Sequence, residues 1–309
     1  MQDQEYQKLS KELKDNLSRL MQKRSNWEAH WQEVANYMLT RRADIVSTKS
    51  RGDKRNVQIF DATAIHALEL LASSLHGSLT SSANRWFSLR FKEAALNDSD
   101  EAKEWLDLVT DKMYIAFNRS NFQQEIFETY HDLIAFGTSC MMIEEDDDTI
   151  VRFSSRHIKE IYIEENARGA VDCIYRRFKI TGKAAAEKFG LENLSKESQN
   201  IYKKSMFEDI EFVHVVKPRD IYNPRKLDKK NMPYVSIYFE MESGHIISIG
   251  GFREFPYVVP RYLKASNEIF GRSPGMMVLP DVKVLNKMVE VGLKAAQKQV
   301  DPPLLVPDD

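Results

Sequence analysis

Leu133-Ile134-Ala135-Phe136-Gly137-Thr138-Ser139-Cys140-Met141-Met142-Ile143 is the stretch at which one structural period gives way to another. Up to it, Phe122 to Phe136 fits a helix; beyond Gly137 the chain takes the shorter period of strands. Interrupted by Gly137, Thr138 and Ser139, the stretch is also too short to span a bilayer. Helices before it and strands after it predict an α+β chain with antiparallel or mixed sheets.

Upstream, from about Glu5 to Leu39, apolar residues recur at Leu9, Leu13, Leu17, Leu20, Trp27, Trp31, Val34 and Met38. That spacing fits one amphipathic helix or two meeting near Ser25-Asn26. Between Arg41 and Arg55 the pattern vanishes and six bases (Arg41, Arg42, Lys49, Arg51, Lys54, Arg55) face only Asp44 and Asp53, which predicts an exposed, mobile loop. Asp61 is placed to cap a helix through Leu79, followed by a strand over Trp86 to Phe91 and a helix over Asp100 to Asn118.

Downstream, strands are predicted at Ser139 to Ile143, Ile150 to Phe153, Ile158 to Ile163 and Val171 to Ile180, then helices over Thr181 to Gly190 and Ser195 to Lys204. Further strands fit Ile210 to Val216, Tyr234 to Met241 and His245 to Ile249, with Asp220 to Met232 a basic, proline-containing connection. Pro280-Asp281 opens a last helix, which Asp301-Pro302-Pro303 closes near Val300. The few residues after it are too short for a domain, so the chain reads as a fragment.

With 309 residues, 42% of them apolar, there is material for a sizeable core. A formal net charge of -2 means that contact with nucleic acid must come from a local arrangement of charge. Cys140 and Cys173 sit in strand-like apolar runs and read as reduced structural thiols. The opening Met1-Gln2-Asp3-Gln4-Glu5 lacks the layout of a signal peptide.

The phosphate-loop, dinucleotide and zinc signatures are missing, and the histidines are scattered singly. Gly271-Arg272-Ser273-Pro274-Gly275 matches the nucleophile elbow of hydrolases, but Pro274 has no N–H to offer an oxyanion, and no histidine follows the serine. Glu144 to Asp148 lacks the glycine and spacing of a calcium loop and reads as a solvated turn between strands.

On the last helix Lys283, Lys287, Lys294 and Lys298 fall within roughly 60° of one another, with Leu285, Met288, Val289, Gly292, Leu293 and Ala296 on the other side. Such a helix can turn lysines toward a polyanion while its apolar side packs. Glu290 lies within reach of Lys287 and Lys294, which equally fits an ordinary salt-bridged surface.

Several segments resemble the head-to-tail connector, or portal, proteins of short-tailed bacteriophages. They are Asp61-Ala62-Thr63-Ala64 with Leu70 to Thr80, Asn84-Arg85-Trp86-Phe87, Ala135-Phe136-Gly137-Thr138, Phe270 to Gly275, and above all Leu279 to Met288 running into Asp301-Pro302-Pro303-Leu304-Leu305-Val306-Pro307. The resemblance implies the phage portal fold, a helical and mixed-sheet wing plus a stem helix, with the C-terminal part missing. On that map 1–56 holds N-terminal helices and the basic loop, 57–280 the α/β wing, 281–300 the stem helix and 301–309 the start of a clip.

It further implies a dodecameric ring at the capsid vertex of the virion, assembled in the host cytoplasm. Double-stranded DNA would pass through its channel without sequence reading, past Lys283, Lys287, Lys294 and Lys298. Terminase motor, capsid and tail adaptor proteins would be its partners, with no membrane, cofactor or metal and no enzymatic activity. Two other readings stay open: a metal-dependent enzyme acting on nucleic acid through Glu144 to Asp148, and a structural adaptor that does not touch DNA.

Overall fold

The computed structural model describes residues 2–47, 52–54, 59–226 and 228–301. Its regular elements are α1 (Gln2–Tyr37), α2 (Thr63–Leu79), α3 (Asp100–Arg119), α4 (Phe122–Phe136), β1 (Cys140–Asp146), β2 (Ile150–Arg156), β3 (Ile161–Glu165) and β4 (Val171–Thr181). There follow α5 (Gly182–Phe189), α6 (Lys196–Lys204), β5 (Asp209–Pro218), β6 (Tyr234–Glu240), β7 (Ile246–Phe252), β8 (Tyr257–Val258) and α7 (Pro274–Val300). The fold is α+β, and every strand pairing resolved in register is antiparallel. Among the described residues no helix is long and apolar enough to cross a membrane.

The chain divides into two compact units. The first comprises Met1–Glu28, Cys140–Glu144 and Arg156–Val259, the second Ala29–Ser139, Glu145–Ser155 and Pro260–Asp309.

The first unit is built on the sheet β3-β4-β5-β6-β7. Strand alternation sends Val213 and Val215 to one face, where Leu13, Leu17 and Leu20 of α1 bury against them with Tyr175, Ile237 and Phe239. Phe212 and Phe178 point to the other face and pack with Ala185 and Leu194. Arg24 locks α1 to the start of β3: its buried guanidinium donates to Ile158 O at 3.0 Å and Lys159 O at 2.9 Å, and lies 3.7 Å above the Tyr162 ring. A buried cation is tolerated here because carbonyls and the Glu28 carboxylate receive its protons.

His214 of β5 is fully enclosed on the second face. Its ring stacks on Tyr238 at 3.9 Å, and its nitrogens meet Tyr257 Oη at 3.0 Å and Ser236 Oγ at 2.9 Å. Burial, then the positive charges of Lys188, Arg176 and Arg156, push its pKa well below the usual imidazole value. The unfolded chain therefore binds the extra proton first. The stability that neutral His214 contributes is complete above about pH 6.5 and is lost as pH falls below it, by up to about 1.4 kcal/mol per pH unit. Thermal melts from pH 7.5 to 5 should show a decline that is shallower in His214→Gln; parallel curves would remove the histidine as the cause.

In the second unit, α2 lies on α4, and the end of α1 supplies Trp31, Val34, Ala35 and Met38 to the core. The N-cap of α2 is Ala62 and not Asp61, whose carboxylate accepts from Thr63 N at 2.9 Å from one residue before the cap. In the first unit, Cys140 of β1 and Cys173 of β4 are both buried thiols, and burial pushes Cys173 up to about 12.

Of the two N-terminal readings left open, the structure has the single continuous helix. Three further sequence expectations are corrected. Trp86 to Phe91 forms no strand; Tyr114 Oη takes its place as partner, accepting from Phe87 N at 2.7 Å and donating to Phe87 O at 3.1 Å. The last helix begins at Pro274, six residues before Pro280, which sits inside it. Arg41 and Arg42 are not in a free loop but bind Glu128, and Arg42 also binds Asp132. Lys49, Arg51 and Arg55 of that basic segment lie outside the described residues.

Candidate nucleic-acid interface

α7 grows out of a socket made by two distant pieces of sequence. Gly137 closes α4 in the left-handed conformation, φ 75°, and its backbone crosses that of Gly271 so closely that a Cβ on either would fall on the other's carbonyl. Thr138 Oγ1 accepts from Gly271 N at 2.8 Å, and Gly137 O accepts from Tyr262 N at 2.9 Å. Trp31 seals the junction, donating from its indole to Phe136 O at 3.0 Å while its ring meets Phe270 edge-on at 5.0 Å.

Ser273, the serine of the elbow-like motif, is fully buried in this socket. Its hydroxyl donates to Ala135 O at 2.8 Å and accepts from Met276 N at 2.9 Å, which makes it the N-cap of α7. Pro274 occupies the first helical turn, where its missing N–H costs nothing. Pro280 is tolerated further in, though it forfeits the bond to Met276 O.

Midway along, Asn286 points inward and its Oδ1 accepts from Phe60 N at 2.7 Å and Asp61 N at 3.1 Å. This side chain fixes the approach to α2 against α7, and nothing in the sequence distinguished it from a polar surface residue. Beyond it every residue from Val291 to Asp301 is exposed. Leu285, Met288 and Leu293, on the apolar side of the helix, are exposed in the single chain, at 40%, 66% and 52%. Between α2 and the first half of α7 lies an apolar pocket of about 410 Å³, lined by residues including Leu68, Leu71, Val278, Val282 and Leu285.

The four lysines take different surroundings. Lys283 pairs with Glu33 at 2.5 Å and sits 6.0 Å from the Tyr37 ring. Lys287 and Lys294 bracket Glu290 at 2.9 and 2.5 Å, and their hydrogen bonds hold its carboxyl below the usual range. Both keep most of their side chain in solvent, 67% and 62%. Lys298 is exposed and has no ion-pair partner among the described residues. The stripe therefore carries four cations against two carboxylates, and the charges of Lys287 and Lys294 remain accessible above Glu290.

The acid run behaves as a turn. Asp146 Oδ2 accepts from Thr149 N at 2.9 Å and Thr149 Oγ1 at 2.8 Å, and Glu144 faces Arg156 at 3.8 Å. Among the described residues no three His, Cys, Asp or Glu side chains converge as metal ligands would.

The family model described as bacteriophage head to tail connecting protein matches residues 10–309. The chain belongs to this family. Among its connector relatives, the portal protein of Salmonella phage epsilon15 is 31% identical over 300 residues, covering 96% of this chain and 54% of the relative. The probable portal protein of Bordetella phage BPP-1 is 32% identical over 292 residues, covering 93% of this chain and 53% of the relative. The chain thus spans about half the length of the curated relatives it matches. The connector family is named for joining head to tail in a bacteriophage, a structural role. In this connector chain the Gly137 and Gly271 segments, two of those that carried the resemblance, meet as the socket of α7.

Proposed function

We propose that the chain is part of a portal: a dodecameric ring at the capsid vertex of a phage virion, through which double-stranded DNA is packaged and ejected. The observation that carries this reading is the match to the connector family over residues 10–309. In this reading 57–280 supplies the wing, 281–300 the stem and 301–309 the start of the clip, with 1–56 as N-terminal helices and basic loop. The stem is then α7 from Asp281 to Val300, and the apolar residues Met288, Val291 and Leu293, exposed among the described residues, support packing between copies.

Lys283, Lys287, Lys294 and Lys298 would face the channel. Ammonium groups touch phosphates as point charges and read no base, so the contact would be weak, salt-dependent and permissive of sliding. The subunit would hydrolyse nothing itself; a terminase motor would supply the work, with capsid and tail adaptor proteins as the other partners and assembly in the host cytoplasm.

Duplex DNA binding over a salt series tests the lysine assignment. Replacing all four lysines by glutamine should flatten the slope of log affinity against log salt by about 3 to 4. An unchanged slope would return the stripe to an ordinary solvated surface and leave an adaptor that does not touch DNA. Class-averaged electron microscopy tests the ring itself, and particles without an axial hole would sink the portal reading.

A further inference from the structure

The first unit carries opposite charges at the two ends of one pair of strands. β5 and β6 pair from Phe212↔Glu240 to Pro218↔Tyr234, and Arg219 N then closes onto Pro233 O at 2.8 Å. Between these last two residues the chain makes a finger, described over 220–226 and 228–232, which carries Arg225, Lys226, Lys229 and Lys230 against Asp220 and Asp228.

The finger is internally braced. Arg219 reaches back to Gly250 O at 3.1 Å, and Asn231 Oδ1 accepts from Asn223 N at 3.2 Å while its amide donates to Asp228 at 2.8 Å. A braced loop nonetheless leaves Ile221 89% exposed, beside a half-exposed Tyr222. The finger thus presents four cations together with an exposed aliphatic and an aromatic side chain, a surface whose natural complement is acidic with an apolar part.

At the other end of β5 is a pocket of about 180 Å³ lined by Glu197, Glu208, Asp209, Glu211, Glu240 and Glu242, with Lys179 its one lining cation. Glu211 is engaged by Arg177 at 2.9 Å, and Glu240 by Ser195 and Ser243. Glu197, Glu208, Asp209 and Glu242 are exposed and have no ion-pair partner among the described residues. Met206 and Phe207, the latter 76% exposed, lead directly into Glu208 and Asp209. Acid rim and exposed apolar residues thus stand opposite in kind to the basic finger with Ile221 and Tyr222.

β5 is ten residues long, so at about 3.3 Å per residue finger and acidic mouth are roughly 30 Å apart in one molecule. They cannot meet within a copy. We infer that the basic finger of one copy docks on the acidic mouth of the next, a heterologous contact that propagates from copy to copy and closes when the rotation allows. This deepens the connector reading and rests on it: the partner is a second copy, and charge complementarity selects the register.

The test is a charge swap read by sedimentation and native mass spectrometry. One variant reverses the finger (Arg225→Glu, Lys226→Glu, Lys229→Glu, Lys230→Glu); the other reverses the mouth (Glu197→Lys, Glu208→Lys, Asp209→Lys, Glu242→Lys). Each alone should associate about a hundredfold more weakly than wild type, and an equal mixture should recover assembly, since every finger then finds a mouth of opposite sign. Recovery in the mixture also shows that both variants are folded. Wild-type assembly by either variant alone, or no recovery on mixing, would overturn the docking while leaving the connector reading intact. A wild-type chain that stays monomeric at every salt would overturn both the docking and the ring proposed above.

Discussion

Gly137→Ala should cost on the order of 3–5 kcal/mol of unfolding free energy, the largest effect expected of any single methyl group in this chain. Two penalties add. An L-residue held at φ 75° pays about 1–2 kcal/mol, and its Cβ would come within 2.7 Å of Arg272 C and closer still to the Gly271 carbonyl. Those atoms are backbone and cannot rotate aside, and they belong to the segment that starts α7. Relief would require opening the socket, with Trp31, Phe136 and Phe270 losing their packing.

Intrinsic fluorescence in a denaturant series is suited to this measurement, because Trp31, Trp86 and Trp105 lie in the same unit as Gly137 and only Trp27 lies in the other. Gly292→Ala is the matching control. That glycine is exposed on α7, has nothing within 4 Å and no positive φ, so alanine there should stabilise by about 1 kcal/mol. Equal effects at the two positions would mean that Gly137 and Gly271 do not cross as described.

What was legible in the sequence follows from what each signal depends on. The change of period at Gly137 was readable because helix and strand repeats are local, and the α+β class and most element bounds came with it. Gly137 itself could be seen as a boundary, but its crossing with Gly271 joins positions 134 residues apart and leaves no periodic trace. The strand expected at Trp86 to Phe91 failed for a related reason. Its residues alternate in burial as a strand's do, yet the nearest hydrogen-bonding partner is the Tyr114 hydroxyl of α3, and a strand exists only where another strand accepts it.

The last helix shows the same limit from the other side. Proline was read as its first residue, whereas the buried cap Ser273 seven residues earlier sets the start and Pro280 is carried inside. The lysine stripe of Lys283, Lys287, Lys294 and Lys298 was readable from spacing alone. Its pairing with Glu290 was also within reach, being local, but the Glu33 partner of Lys283 comes from 250 positions away. Asn286, His214 and Arg24 gave no signal, since a buried polar residue looks like a surface one until its partners are in place.

Arg42 is the case where charge pattern misled most, and it yields the other large expected effect. Read as one of six bases in an open loop, it is instead only 14% exposed, with one nitrogen on Asp132, which is fully buried within α4, and the other on Glu128 at 2.9 Å. Arg42→Ala removes the guanidinium and leaves a carboxylate in the core without it, which should cost about 3–5 kcal/mol. Arg42→Lys should recover little, because a single ammonium cannot serve two carboxylates with the geometry of a fork. Its neighbour Arg41 binds the same Glu128 from a half-exposed position, and Arg41→Ala should cost less than about 1 kcal/mol. The distinguishing experiment replaces the pair: Arg42→Met with Asp132→Leu takes away both buried charges together and should restore most of the stability that Arg42→Ala loses. If the double variant is as unstable as the single one, the loss lies in the packing of residues 40–42 and not in the stranded Asp132 charge.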